Sequence, residues 1–230
     1  MRTDPMFNLK TKNKLSKETK VTIGLIVTGI LSILLVLITI YGQFTGTFLI
    51  KLTHVAERKG IVLFEDRDSI GGEEKLVLEP VRDTLDILEE NILRRIGEIL
   101  ESEGGQYIDP DGNNNYIAYT FYLKNNGEEV VDISYGFRIV GSQKNLDDAM
   151  MIIFYEHSNT GEEPVKRYFY KVDDNDYLGG DKIPNLQVGE MRKFTLIVYI
   201  DGNRSNATML GGAVKINLVF TVDTAGEANE

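Results

Sequence analysis

Two loops of this sequence have the residue types and spacing for metal chemistry. In Asp109-Pro110-Asp111-Gly112-Asn113-Asn114-Asn115, oxygen-bearing side chains stand at alternate positions, Asp109, Asp111, Asn113 and Asn115, around a glycine that allows a sharp bend. Calcium takes about six to eight oxygen ligands, and alternate residues of a curled loop can point theirs inward. The second loop runs from Asp173 to Asp181 and crowds Asp173, Asn175, Asp176 and Asp181 around Gly179-Gly180. Its carboxylates repel one another unless a cation or solvent lies between them. Calcium binding is the chemistry both loops imply. The plain alternative is an Asx- and glycine-rich turn, and an EF-hand would need a distal glutamate and a second helix where strand-like sequence follows.

No pattern for covalent catalysis accompanies them. The chain has two histidines, His54 and His157, neither in an HExxH context, no GxSxG around any serine, and no cysteine. A zinc protease of the HExxH type and a thiolate nucleophile therefore have no support, and the expectation is a non-enzyme. His157, beside a polar turn, reads as an exposed loop residue. Asn203-Arg204-Ser205 and Asn206-Ala207-Thr208 fit the glycosylation pattern, and their asparagines read as turn formers.

The element that organises the rest is Val21 to Tyr41, an uninterrupted run without a charged side chain. At about 1.5 Å of rise per residue a helix of this length covers the hydrocarbon core of a bilayer. A lone strand in lipid would leave its amides unpaired, so helix is expected, with the hydroxyls of Thr22, Thr28, Ser32 and Thr39 bonding back to the preceding turn. Residues 1–20 form a basic leader with six cationic and two anionic side chains, leaving 19 cationic and 33 anionic beyond it. The positive-inside bias puts the N-terminus in the cytoplasm and the acidic remainder outside. That acidity disfavours a nucleic-acid partner. Retention as an anchor is expected over removal as a signal peptide, because the apolar run is long and Gly42 to Thr47 holds no A-x-A-like site. If the span is cleaved near Gly42–Thr47, the protein is secreted.

Residues 42–223 are expected to form one extracytoplasmic domain, with 224–230 a disordered tail. Phe44 to Thr53, Ile61 to Phe64 and Lys75 to Leu78 read as strands, with Phe48, Ile50 and Leu52 on one face. After Pro80, Val81, Leu85, Leu88, Ile92, Ile96 and Leu100 recur at spacings of three and four, which predicts one amphipathic helix over about 81–102, ended by Gly104-Gly105. From Tyr116 the period becomes two, predicting strands at Tyr116–Lys124, Val130–Val140, Ala149–Glu156, Val165–Val172, Met191–Ile200 and Ala213–Val222. Asn125-Asn126-Gly127 and His157 to Pro164 read as hairpin connections. The fold class expected is mainly β, a two-sheet antiparallel sandwich of Ig-like or jelly-roll type with one packed helix, preceded by the transmembrane helix.

The second half also resembles the camelysin/TasA-type family of exported Gram-positive surface and biofilm-matrix proteins. Three stretches carry the resemblance: Tyr116 to Gly127, similar to a strand ending in a K-N-x-G turn; Leu186-Gln187-Val188-Gly189-Glu190 leading into Phe194 to Tyr199; and Asn206 to Val222, a Gly-Gly followed by a last alternating strand. It covers roughly residues 105–223 and contains no single diagnostic motif. It implies a jelly-roll-like sandwich outside the cell that in some members assembles into fibres by strand donation. Members usually have a cleavable signal peptide, whereas this chain reads as keeping its span. The resulting expectation is a single-pass cell-surface protein with a structural or interaction role, binding other surface proteins or itself through edge strands. A calcium-dependent adhesion or ligand-binding module and a secreted fibre-forming matrix protein are the alternatives.

Overall fold

The structure, a computed structural model, describes residues 17–43, 48–69, 71–80, 84–112 and 115–223, with the side chains at 17, 18, 20 and 37–43 outside the description. The chain divides into two compact units, Met1–Gln43 and Phe44–Glu230. The first contains helix α1, Lys17–Gln43. Thr28 donates its hydroxyl to the Gly24 carbonyl at 2.9 Å, the back-bond expected of a hydroxyl in an apolar helix. Its described apolar side chains from Val21 to Val36 are exposed in this unit. Among the described residues no helix is long and apolar enough to cross a membrane; the last five positions of the expected span, 37–41, have no described side chains. Of the stretch Gly42 to Thr47, where cleavage would fall, residues 44–47 lie outside the described residues, as does the tail 224–230.

In the second unit, β1 (Phe48–Leu52), α2 (His54–Arg58), β2 (Ile61–Phe64) and β3 (Lys75–Leu78) come first. Two helical turns follow, α3 (Glu89–Leu93) and α4 (Ile96–Glu101), and a short strand β4 (Gly105–Gln106). Seven longer strands complete it: β5 (Tyr116–Asn125), β6 (Val131–Gln143), β7 (Met150–Glu156), β8 (Val165–Tyr170), β9 (Tyr177–Leu186), β10 (Met191–Ile200) and β11 (Ala213–Val222). They form two sheets, ordered β3-β1-β11-β6-β9 and β2-β5-β10-β7-β8, with β4 paired to β5. All pairs are antiparallel except β1 with β11, which run parallel.

The period-two pattern places one face of every long strand in a common core. Ile133, Tyr135, Phe137 and Ile139 of β6 and Leu218 and Phe220 of β11 meet Phe121, Phe154, Phe194 and Leu196 of the second sheet. The Phe154 and Phe194 rings stack at 5.4 Å with 7° between planes, and Phe121 lies edge-on to Phe220 across the two sheets at 6.0 Å. The architecture is a β-sandwich, and β1 buries the expected Phe48, Ile50 and Leu52.

Three expectations need correction. The helix over about 81–102 is two short pieces: residues 81–83 lie outside the description, Leu85 is exposed, and Leu88 is extended. Ile87 instead takes backbone partners from the end of β10, its N–H donating to the Ile200 carbonyl at 2.9 Å and its carbonyl accepting from Gly202 at 3.2 Å. A helix continued back through Ile87 would forfeit both bonds. Asn125-Asn126-Gly127 does not close a hairpin; it carries the chain from the second sheet to the first. The buried Asn125 holds that corner, donating to the Glu129 and Leu186 carbonyls at 2.8 and 3.0 Å and accepting from Gly127. A Cβ on Gly127 would stand 2.0 Å from the Lys59 carbonyl oxygen, so the corner requires glycine. Finally, Tyr177 to Asp181, read as the end of an acidic loop, begin β9, Tyr177–Leu186, the edge strand of the first sheet.

The outer face of the second sheet is covered. Ile87, Ile92 of α3 and Ile99 of α4 pack on Tyr116, Ala118, Ile153, Tyr155, Ile197 and Tyr199 in a second core. This is why Leu196 to Tyr199 reads as a continuous apolar run: both faces of β10 are buried there. Lys193 fastens the cover, donating from Nζ to the Leu100 carbonyl of α4 at 2.8 Å.

Candidate functional site

The first oxygen-rich loop spends its described side chains on structure. Asp109, buried, accepts the Asp111 N–H on Oδ1 at 2.9 Å and the Tyr116 hydroxyl on Oδ2 at 3.0 Å. Burial, and then the Asp109 carboxylate, push the Tyr116 phenol well above its ordinary pKa. Asp111 pairs with Arg95, which also holds Glu98 at 2.9 Å. Asn115 Oδ1 accepts the Leu85 N–H at 2.8 Å. Asn113 lies outside the described residues. The loop thus straps the α3–α4 cover to the second sheet, with Asp109, Asp111 and Asn115 turned to three different partners.

The second loop is split by the start of β9. Asp173 has φ 55°, Asn175 Oδ1 accepts the Tyr177 N–H at 2.9 Å, and the Asp176 carbonyl accepts from Ile139 at 2.8 Å. Asp181, on the strand, binds Arg167 of β8 instead of joining them. Among the described residues no group of three or more His, Asp or Glu is placed to hold a metal ion. Asp181 ends a ladder of charges across the strands: Glu190 to Arg192 at 2.7 Å, Arg192 to Glu156 at 2.9 Å, Glu156 to Arg167 at 3.4 Å, and Arg167 to Asp181. Arg167 thereby ties the edge of the second sheet to the edge of the first. For Asp181, the Lys182 backbone N–H and then Arg167, outweighing burial, hold its carboxyl below the ordinary aspartate range.

His157 is half-buried, contrary to the exposed-loop reading. Its Nε2 lies 2.9 Å from the Thr195 hydroxyl, which is 3.0 Å from that of Thr120, both threonines being buried. Burial, with Lys193 nearby, lowers its pKa to about 4, so the ring is neutral at neutral pH. No hydrogen bond joins His157 to a carboxylate among the described residues, and Thr195 is inaccessible to a substrate. This group serves as a hydrogen-bonded inlay in the sheet.

What no motif announced is the outer face of the first sheet. Strand register lays its outward residues in rows. One row reads Val77, Leu49, Asn217, Arg138 and Tyr177; the next reads Lys75, Lys51, Val219, Gly136 and Gly180; a third has Thr221, Ser134 and Lys182. Lys215 stands two residues before Asn217 on β11. No helix of this unit covers the face among its described residues; Val77, Val140 and Tyr177 are 60%, 51% and 46% exposed. The Tyr177 ring lies over Gly136 and Gly180, where a Cβ would come within 2.7 and 2.6 Å of it. The glycines let the aromatic ring lie flat on the sheet.

The face is cationic in an acidic domain. Lys51, Lys75, Arg138, Lys182 and Lys215 project from it; its carboxylates, Asp132 at the start of β6 and Asp223 after β11, lie side by side at one end, away from Lys51, Lys75, Arg138 and Lys215. Only Lys182 is paired, to Asp223 at the border, at 2.6 Å; the other four have no ion pair among the described residues. Lys51 and Lys75 are directly opposite across an antiparallel pair, a juxtaposition that destabilises a sheet unless an anion lies nearby. The sequence signal was the parity of each strand, but only the strand order brings these cations to one surface. No family model and no curated protein matches the chain.

Proposed function

We propose that the protein is a single-pass surface protein that displays this sandwich outside the cell as a non-catalytic structural or interaction module. The observation that carries the reading is the asymmetry of the sandwich: one outer face is sealed by α3 and α4, and the other is a bare five-stranded sheet. An antiparallel sheet can face water on one side, but this one sets exposed Val77, Val140 and Tyr177 among Lys51, Lys75, Arg138 and Lys215, which supports a contact surface. The uncharged run Val21 to Tyr41 and the basic leader support an anchor with its N-terminus in the cytoplasm. The resemblance to exported surface and matrix proteins agrees with display outside.

Edge pairing is the narrower of the available surfaces. β9 carries Pro184, Gly179, Gly180 and a left-handed Asn185, features that guard an edge against added strands. β8 is tied to β9 through Arg167 and Asp181. The open face is the larger unpartnered surface.

Intact mass of the protein recovered from membrane and medium fractions, combined with protease treatment of whole cells, tests the reading. Full-length protein in membranes, with its domain digested from outside, is expected. A shortened species in the medium beginning near Gln43 or Phe48 would replace it with a secreted matrix protein.

A further inference from the structure

We infer that the open face of the first sheet docks on an anionic bilayer surface. The inference rests on the anchored reading above for its tether, and on the face itself for its chemistry. Four cations without carboxylate partners among the described residues, Lys51, Lys75, Arg138 and Lys215, lie together in a chain whose net charge beyond residue 20, these four included, is −14. An acidic domain can approach a negative surface only through such a patch, because elsewhere its own charge opposes contact. The Lys51–Lys75 juxtaposition is relieved by an anion between the two ammonium groups.

The shape selects a planar partner. Five strands side by side, about 4.8 Å apart, make a broad, gently twisted surface without a groove for a threaded polymer. Leu49, Val77, Val219 and Tyr177 sit between the cations, and tyrosine with basic residues is the composition of a lipid headgroup interface. Position favours the same partner: β1 opens five residues after α1 ends. At no more than about 3.4 Å per residue, Lys51 is tethered within about 27 Å of the end of that helix. A tether this short keeps the face at high effective concentration over the membrane.

The test uses residues 44–230, whose two cores draw only on residues after the helix, so it reads the face independently of the anchor. Co-sedimentation is measured with vesicles of phosphatidylcholine alone and with added phosphatidylglycerol, at low and high salt. Binding to the anionic vesicles that high salt reverses is expected, and none to the neutral ones. Lys51→Glu with Arg138→Glu should lower the partition coefficient at least about thirtyfold, at about fivefold for each cation removed near an anionic surface. Arg58→Glu with Arg94→Glu, the same charge change at exposed sites off this face, should lower it far less. Absence of binding by the unaltered domain, equal weakening by the two pairs, or lipid-independent self-association abolished by Arg138→Glu would each overturn the inference.

Discussion

Truncating Phe154 tests whether the two sheets share one close-packed core. Phe154 is fully buried on β7, stacked on Phe194, 5.3 Å from Phe137 and 5.1 Å from Tyr135 on the opposite sheet. Phe154→Ala removes the ring from a site walled by other rings that cannot collapse into the space, so the cost falls at the upper part of the usual ~3–5 kcal/mol. Lost aromatic geometry adds about 0.5–1.5 kcal/mol. For a domain of this size each kcal/mol lowers the melting temperature by roughly 2–4 °C, giving a drop of about 8–20 °C. Phe154→Leu fills much of the volume and should cost about 1.5–2.5 kcal/mol. Urea unfolding of residues 44–230, followed by tyrosine fluorescence and circular dichroism, measures both. Val165→Ala, at an exposed position of β8, is the control and should lose under about 1 kcal/mol. A loss below about 2 kcal/mol for Phe154→Ala, or equality with the control, would refute a core closed between the sheets.

Other expectations are as direct. Asp109→Ala should destabilise the domain by about 1–3 kcal/mol in calcium-free buffer, because the buried Tyr116 hydroxyl loses its acceptor; a loss seen only with calcium present would favour calcium binding at this loop. His157 has a folded pKa below its unfolded value, so the unfolded chain takes up the proton first and stability falls as the pH drops from about 6.5 toward about 4. His157→Gln should flatten the stability profile in that window, and proton NMR should find the ring neutral at pH values where an exposed histidine is charged. For Asp147, burial opposes ionisation but is outweighed by the Lys171 ammonium at 2.7 Å and the Ser142 hydroxyl, which together hold its folded pKa below the ordinary value. Its contribution is therefore present above the aspartate range and is lost as the pH falls below about 4. Asp147→Asn should be less stable than the parent at neutral pH and converge with it in acid, as read by urea titration across pH.

Particular residues show how far the chain could be read in one dimension. Strand parity was legible wherever a side chain's neighbours at i±2 shared its fate: Ile133, Tyr135, Phe137 and Ile139 alternate with polar residues and all face the core. β9 was not legible, because Gly179, Gly180, Asp181 and Pro184 carry turn composition. The strand exists because β6 offers an unfilled edge, and because Tyr177 needs small residues beneath its ring. The helix at 89–101 was legible in type but not in extent, since the competing partner for Ile87, the end of β10, lies over a hundred positions away in the chain. The acidic loops looked alike in sequence; Arg95 and Arg167, which claim Asp111 and Asp181, are invisible neighbours until the chain is folded.

Sequence alone determined the uncharged run at Val21–Tyr41, the basic leader before it, the acidic balance after it, and a mainly β domain with helix between Pro80 and Gly104, though not that this helix is two short pieces. These are properties of local composition and of period, which the solvent reads residue by residue. Only the tertiary structure decided which strands are neighbours, and hence that one outer face is sealed and the other gathers Lys51, Lys75, Arg138 and Lys215 from four strands. A strand's side-chain parity is set by its own backbone, but the surface it helps to build is set by long-range pairing.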